Sequence, residues 1–141
     1  MADTVASHTW VLPRPIVNRM LTHAMQSAPE ECVGILAGKG RTIQEWHPLP
    51  NALHHERQFL ADPARHIQIM KELRERGLEM IAIYHSHPGA PAEPSAKDFN
   101  ESFYPEALYL IISLNTQGRL DMNGFLLQGG QARSQELIIC D

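Results

Sequence analysis

A short apolar run that ends in two histidines is the feature that most constrains how this chain folds. Residues 80–84, Met-Ile-Ala-Ile-Tyr, pass directly into His85, Ser86, His87 and Pro88. A run with this composition is typical of a buried β-strand. Side chains at positions i and i+2 of a strand project from the same face, so His85 and His87 present two imidazoles side by side. The run therefore predicts a buried strand that ends in reactive side chains.

Two longer helices are predicted by apolar residues that recur at helical spacing. The first begins at Pro15, which suits a first helical turn, and ends before Pro29. The second begins with Asp62 as N-cap and Pro63 in the first turn, and Gly77 supplies its stop signal. The expected buried faces consist of Ile16, Val17, Met20, Leu21, Ala24 and Met25 in the first helix and of Ile67, Met70 and Leu73 or Arg74 in the second.

Strand patterns occupy much of the remaining chain, which makes the predicted class α/β. Two runs at 31–37 and 42–46, separated by a segment with two glycines, predict a hairpin. Polar residues 51–58 show neither the helical nor the strand period and are expected to form a surface loop. Within this loop, His54 and His55 either contact a substrate or are simply solvated. A short helix is expected after Ser95, strands at 107–114, 120–128 and 132–140, and turns at 115–118 and Gly129-Gly130.

Length and charge limit the classes of function. A chain of 141 residues with 43% hydrophobic residues is expected to form a single domain, residues 1–141. The net charge is −4 and no cluster of Lys and Arg is present, so a nucleic acid partner is not expected. Neither a membrane span nor a signal peptide is recognisable, and there are only two cysteines, which predicts a reduced protein in the cytoplasm.

A third metal ligand is available close to the two histidines. Asp98 falls in the first turn of the predicted short helix, and the Pro-rich loop before it can fold back towards the strand end. Two nitrogens and one carboxylate oxygen leave the fourth tetrahedral position of a zinc ion to water, which is the arrangement of a catalytic site. We therefore expect one zinc ion per chain, held by His85, His87 and Asp98, with a catalytic water whose pKa is lowered to about 7.

Attack of such a water on an amide benefits from a carboxylate that accepts its proton and passes it to the leaving amine. Glu31, at the start of an apolar run that is a poor place for a charge, is the candidate, although Glu30 beside it is a rival. Ser95 could donate a hydrogen bond to the oxyanion that forms when water adds. Ser95 and Asp98 also have the spacing of a helix-capping box, and the two roles are compatible. Cys32 alternates to the face opposite Glu31 and is expected to be a core residue.

These residues together resemble a known family. His85-x-His87, seven residues, Ser95, two residues and Asp98, preceded by Glu31 in the segment Pro-Glu-Glu-Cys-Val-Gly-Ile-Leu-Ala-Gly, look like the motif of the JAMM, or MPN-plus, zinc metalloisopeptidases. The resemblance extends over nearly the whole chain. Similarity to the small bacterial and archaeal JAB-type members is carried by Leu49-Pro-Asn51, Phe59 before Asp62-Pro63, and Gly77 ahead of Ile-Tyr-His-Ser-His-Pro at 83–88.

The resemblance implies a fold and a set of roles. The family fold is a curved mixed β-sheet flanked by helices, akin to that of cytidine deaminases. By resemblance, His85, His87 and Asp98 bind zinc, Glu31 is the general base and acid, and Ser95 supports the tetrahedral intermediate.

The resemblance also implies a substrate class. Family members cut peptide or isopeptide bonds after the C-terminal Gly-Gly of ubiquitin-like proteins, and small prokaryotic members are associated with sulfur-carrier proteins. Eukaryotic deubiquitinases of the family hold two ubiquitins with two insertions. The second insertion is essentially absent here, because only residues 101–106 separate the short helix from the next strand. Cleavage of particular polyubiquitin linkages is therefore not expected. Gripping one extended tail by strand addition at a sheet edge is the better match.

Three alternatives remain open from the sequence. A general deubiquitinase-like isopeptidase would remove a small modifier from lysines, whereas a non-catalytic MPN scaffold would assemble larger complexes. Scaffold relatives lose motif residues, and all five are kept here. The RadC-like group associated with DNA repair has a similar His-x-His, but the acidic balance of this chain disfavours duplex binding. A homodimer is compatible with each of them.

Overall fold

The computed structural model describes residues 9–51, 63–100, 104–114 and 121–141. Seven strands and three helices lie in these ranges. In chain order they are β1 (Thr9–Pro13), α1 (Arg14–Ser27), β2 (Val33–Lys39), β3 (Thr42–Leu49), α2 (Pro63–Glu75), β4 (Glu79–His87), α3 (Ala96–Asn100), β5 (Leu108–Ser113), β6 (Asp121–Gln128) and β7 (Gln131–Cys140).

The strands form one mixed sheet that closes on itself. Their order is β1-β3-β2-β4-β5-β6-β7, and β1 closes the barrel by pairing with both β7 and β3. The central strand β4 runs antiparallel to β2 and parallel to β5. The prediction of a mixed sheet with helices is thus confirmed, but the sheet is a closed barrel and not only a curved sheet. The pairing that closes the barrel between β1 and β3 is short, because it consists of one residue pair, Val11 with Thr42.

Strand β1 is the element that sequence patterns did not predict. Its five residues alternate in burial, with Trp10 and Leu12 inside. All five pair in parallel with β7, more than 120 positions away, and Trp10 Nε1 donates a hydrogen bond to Gln135 Oε1 at 2.8 Å. A strand this short depends on its distant partner, because an isolated pair of strands is marginally stable at best in water. The sequence around residues 9–13 therefore contains no pattern that predicts this strand.

The two faces of the sheet pack into separate apolar clusters. The face covered by α1 contains Leu36, Tyr84 and Leu110, and the face covered by α2 contains Ile35, Ile83 and Tyr109. Successive residues of β2, β4 and β5 thus alternate between the clusters, as strand geometry requires. Both faces of these strands are covered, which explains their continuous apolar runs.

Burial corrects two of the predicted helix stripes. Met25 is 60% exposed, because it lies about 100° around α1 from the buried Ala24. On α2 the residues that reach the sheet are Ile69 and Leu73, four apart on one face, while Ile67 is 70% exposed. Apolar spacing alone does not determine which of two neighbouring stripes of a helix is buried. The position of the sheet determines it.

Several local signals behave as predicted. Gly77 follows α2 with a φ of 70°, and Gly129 and Gly130 turn β6 into β7 with φ of 59° and 75°. These positive values suit glycine. The predicted loop residues His54 and His55, Phe59, Asp62 and the predicted turn at 115–118 lie outside the described residues.

Among the described residues, no helix is both long and apolar enough to cross a membrane.

Candidate metal centre

The two histidines occupy the last residues of the central strand. β4 continues past Tyr84 to His87, so His85 and His87 are strand residues two apart and share a face. Their side chains are 2% and 6% exposed. Their Nε2 atoms lie 3.2 Å apart. The structure therefore brings both imidazole nitrogens to one buried point, as predicted.

Asp98 reaches the same point from α3. Its Oδ1 lies 3.2 Å from His85 Nε2, and its Oδ2 lies 3.3 Å from His87 Nε2. The backbone N–H of Ser95 donates to Asp98 Oδ2 at 2.8 Å, and the N–H of Asp98 donates to Ser95 Oγ at 3.2 Å. This reciprocal pair is the predicted capping box, with Asp in place of Glu, and it fixes the carboxylate in place.

The spacing of the three groups fits a zinc ion. Ligand atoms about 2.0–2.1 Å from zinc at tetrahedral angles lie roughly 3.3 Å from one another. The two Nε2 atoms are 3.2 Å apart, close to this value, and they lie 3.2 and 3.3 Å from two different carboxylate oxygens of Asp98, Oδ1 and Oδ2. One ligand atom from each of the three buried side chains lies within 4.8 Å of the other two. Two imidazole nitrogens and a carboxylate oxygen are also a donor set that zinc accepts in catalytic sites.

Hydrogen bonds set the protonation of the cluster. The carbonyl of Pro91 lies 2.8 Å from His87 Nδ1 and can only accept, so Nδ1 carries a proton. Burial raises the pKa of Asp98, but hydrogen bonds from His85 and His87 outweigh burial and hold this pKa well below its usual range. Burial lowers the pKa of His87, and its bonds to Asp98 and to the Pro91 carbonyl outweigh that effect and raise it. The carboxylate is thus ionised, as a ligand must be.

Glu31 is placed beside the cluster by strand register. Val33 pairs with His85 in the antiparallel β2–β4 ladder, and the N–H of Ser86 donates to the carbonyl of Cys32 at 3.1 Å. Continuing this register by one more residue places Glu31 across from His87, on the same face. The Glu31 side chain is buried, with 5% of the residue exposed. The structure therefore brings the predicted carboxylate to the histidines.

One cleft joins three of the five predicted residues, Glu31, His87 and Ser95. It has a volume of about 560 Å³ and an open mouth. Its lining residues are Pro29, Glu31, His87, Pro88, Gly89, Ala90 and Ser95. Glu30 does not line it, so the geometry favours Glu31 over its neighbour.

Ser95 is exposed at the edge of this cleft. Its Oγ accepts the Asp98 N–H and keeps its own proton to donate. The geometry is compatible with both capping and a hydroxyl that is available to the cleft, as expected from the sequence.

Cys32 lies on the other face, as predicted. It belongs to the α1-side core, and its N–H donates to Ser86 Oγ at 2.8 Å. Burial raises the pKa of its thiol to about 11, so the thiol stays protonated at neutral pH and is a poor nucleophile or metal ligand.

Asn51 is a site residue that reasoning from side-chain chemistry missed. Its Nδ2 donates to the backbone carbonyl of Glu31 at 2.8 Å, and the residue is 8% exposed. This bond ties the end of β3 to the segment that carries Glu31. The one sequence signal for it was Leu49-Pro-Asn51, part of the family resemblance.

Comparison with known proteins identifies the family. Residues 13–123 match the family model described as prokaryotic homologs of the JAB domain. The chain belongs to the prokaryotic JAB family. This confirms the resemblance stated from the motif, and it covers the metal cluster, Glu31 and Ser95.

Curated relatives of this JAB protein are similar along most of their length. A probable TtuB-protein conjugate cleaving protease of Thermus thermophilus is 38% identical over 85% of this chain and 77% of its own. A CysO-cysteine peptidase of Mycobacterium tuberculosis is 26% identical over 93% of this chain and 91% of its own. A desampylase of Haloferax volcanii is 34% identical over 67% of this chain and 73% of its own.

Solved structures agree on the fold. A protein from Desulfitobacterium hafniense, whose solution structure is known, superposes with a TM-score of 0.85 at 32% identity, covering 93% of this chain and 92% of its own. A JAB1/MPN domain protein from Archaeoglobus fulgidus superposes with a TM-score of 0.62 at 17% identity, covering 94% and 99%. The predicted JAB/MPN architecture of the α/β class is thus confirmed.

Proposed function

We propose that this JAB protein is a zinc metallopeptidase that hydrolyses the amide bond after the C-terminal Gly-Gly of a small ubiquitin-like or sulfur-carrier protein. The observation that carries the proposal is the buried convergence of His85, His87 and Asp98, with Glu31 and Ser95 on the adjoining cleft. Similarity to a conjugate-cleaving protease, a CysO-cysteine peptidase and a desampylase supports the substrate class.

Zinc would be held by the Nε2 atoms of His85 and His87 and by the carboxylate of Asp98. When bound, it would polarise the scissile carbonyl and lower the pKa of a water molecule to about 7. The Pro91 carbonyl holds the proton of His87 on Nδ1, which leaves Nε2 free to be the ligand atom. The capping box directs Asp98 at the same point.

Glu31 is proposed as general base and acid. It lies beside His87 in the cleft, where its carboxylate takes the proton of the attacking water and then delivers it to the leaving amine. Its burial strengthens these electrostatic interactions, because the surroundings of the carboxylate are less polar than water.

Ser95 is proposed as the oxyanion donor. Its hydroxyl accepts the Asp98 N–H, which orients it, and its own proton points to no partner within the capping box. A hydroxyl held in this way can donate to the oxygen that gains charge as water adds to the carbonyl.

The tail of the carrier is proposed to bind by strand addition. The closed barrel leaves one weak seam, since β1 contacts β3 through the pair Val11 and Thr42, near the start of β3. The far end of β3 leads to Leu49, which pairs with Val33, two residues from Glu31. An extended tail added along that end of β3 is therefore directed to the cleft.

A lysine-directed isopeptidase is the second candidate, and similarity to the conjugate-cleaving protease favours it. Two substrates separate the alternatives. One is a Gly-Gly-ending carrier with a C-terminal cysteine or peptide extension, and the other is the same carrier linked to a lysine amine. A higher kcat/KM for the lysine-linked carrier would establish the isopeptidase.

The first test is zinc content together with cleavage of a Gly-Gly tail extension, before and after chelation. One zinc per chain and cleavage lost on chelation is the expected result. Glu31→Gln should keep zinc and lose turnover, whereas His85→Ala should lose both. A metal-free protein after reconstitution would favour the scaffold, and full turnover by Glu31→Gln would refute the assigned base.

Other features stay proposals. The described strands close one barrel, which supports a single domain over residues 1–141. A cytoplasmic location, a homodimer and the likeness to cytidine deaminases stay predictions.

A further inference from the structure

The loop between the metal ligands is held in an unusual way. Residues 88–94 contain three prolines and connect His87 at the end of β4 to the start of α3, where Asp98 lies. This segment contains no helix or strand of its own. It nevertheless has to return the chain so that Asp98 Oδ2 comes within 3.3 Å of His87 Nε2. Its shape depends on its prolines, on the hydrogen bond from the Glu93 N–H to the Pro91 carbonyl at 2.8 Å, and on contacts with the sheet.

Three successive carbonyls of this loop accept hydrogen bonds from three different strands. Ser113 Oγ of β5 donates to the carbonyl of Ala90 at 2.6 Å. His87 Nδ1 of β4 donates to the carbonyl of Pro91 at 2.8 Å, and Asn123 Nδ2 of β6 donates to the carbonyl of Ala92 at 3.0 Å. The middle bond comes from a predicted metal ligand, and the outer bonds come from two residues that the sequence did not predict for the site.

Strand register places Ser113 beside His87, and Asn123 one strand further away in line with His85. Ser113 pairs with His87 in the parallel β4–β5 ladder. Asn123 pairs with Ile111, and Ile111 pairs with His85. Cross-strand partners project from the same face of a sheet, so the two donors share the face of the histidines.

One residue of the loop is packed against the sheet, whereas Gly89, Ala90, Pro91 and Glu93 around it are exposed. Ser113 is 2% exposed, and Ala92 in the loop is 1% exposed. The buried Ser113 hydroxyl anchors the carbonyl of the exposed Ala90, so without that hydroxyl the carbonyl would be able to shift and bond to water instead. The peptide groups on both sides of the Pro91 carbonyl are thus fixed from outside.

We propose that Ser113 and Asn123 are positioning residues of the metal centre. They hold the loop so that the Pro91 carbonyl meets His87 Nδ1 and the loop end delivers Ser95 and Asp98 to the cluster. They touch neither the metal nor the substrate. The inference rests on the proposed zinc site and not on the identity of the substrate.

The test measures zinc affinity of Ser113→Ala, Asn123→Ala and the double variant. Each variant is titrated with Zn²⁺ against a chromophoric chelator, at a temperature where circular dichroism shows the zinc-free protein to be folded. Groups that hydrogen-bond directly to metal ligands typically contribute tenfold to a hundredfold to metal affinity. Ser113 and Asn123 act one bond further from the ligands, so we expect a loss at the lower end of this range, roughly tenfold, for each variant. Ser134→Ala and Asn18→Ala, on exposed positions away from the site, are matched controls and should bind as the wild type does.

A merely structural role predicts a different result. If the two side chains only stabilised the fold, the unfolding midpoint would fall while the zinc dissociation constant of the folded protein stayed the same. Dissociation constants within twofold of the wild type for all three variants would overturn the proposal. Asn123 is exposed, so its variant keeps the test valid if the buried Ser113→Ala does not fold.

Two further measurements sharpen the result. Ser113→Thr keeps the hydroxyl and should restore most of the affinity that Ser113→Ala loses. Cobalt-substituted variants should show altered d–d absorption, because the ligand geometry around the ion changes. Failure of the wild type to cleave any Gly-Gly tail would count against the proposed function alone, since the zinc titrations do not depend on cleavage.

Discussion

A methyl group added at Gly34 should destabilise the protein strongly. A Cβ at this position of β2 would lie 2.5 Å from the hydroxyl oxygen of Tyr84 and closer still to Cε2 and Cζ of its ring. Carbon atoms in contact normally lie about 3.5–4.0 Å apart, so the ring would have to move by roughly 1 Å or more. Glycine is therefore needed here for space.

The tyrosine has little freedom to move. Tyr84 is completely buried, and its hydroxyl accepts a hydrogen bond from Trp46 Nε1 at 2.8 Å and shares another with His23 Nδ1 at 2.7 Å. Overpacking of a core costs about 1–3 kcal/mol. Each lost hydrogen bond adds about 1 kcal/mol. Gly34→Ala should therefore lower the free energy of unfolding by about 3–5 kcal/mol, a large part of the roughly 5–15 kcal/mol typical of domains.

Urea denaturation followed by tryptophan fluorescence measures this change. Gly89→Ala is the matched control, because a Cβ there meets nothing within 4 Å, and it should change the free energy of unfolding by less than about 0.5 kcal/mol. Repeating Gly34→Ala in a Tyr84→Leu background tests the cause, since removing the ring should abolish most of the cost. A loss below about 1 kcal/mol in the wild-type background, or the same loss without the ring, would refute this reasoning.

Two further outcomes are expected. The guanidinium of Arg76 donates two hydrogen bonds to Glu45 and, with His47, lowers the pKa of Glu45 from 4.5 to about 2. The ion pair therefore stabilises the fold fully above pH 4.5, and this stabilisation is lost as pH falls towards 2. The urea midpoints of the wild type and Glu45→Gln should differ at pH 6 and converge near pH 2. A difference that stays constant with pH would contradict the ion pair. Zinc at a hundredfold excess over its dissociation constant should raise the thermal midpoint by roughly 5–15 °C in a scan with and without chelator, and His85→Ala should show no such rise.

Short-range chemistry was readable from the sequence. The two-residue spacing of His85 and His87 on a strand, and the three-residue spacing of Ser95 and Asp98 at a helix start, follow from the repeats of those elements. The structure keeps both. The glycine turns and the two longer helices were predictable for the same reason, because each depends on neighbouring residues alone.

Long-range contacts were not readable in this way. Glu31 could be chosen over Glu30 only by family spacing, and what places it is the β2–β4 register that pairs Val33 with His85. The choice of Ile69 over Ile67 on α2 likewise depends on where the sheet lies.

The sequence alone therefore determined the helices, the turns and the residues able to hold a metal ion. Only the tertiary structure decided that β1 closes a barrel with β7, that Tyr84 fills the space above Gly34, and that Ser113 and Asn123 hold the loop between the ligands. The physical reason is the range of the interactions. Backbone geometry and capping act over a few residues and repeat with a fixed period, whereas strand pairing and packing join residues whose separation in the chain carries no such period.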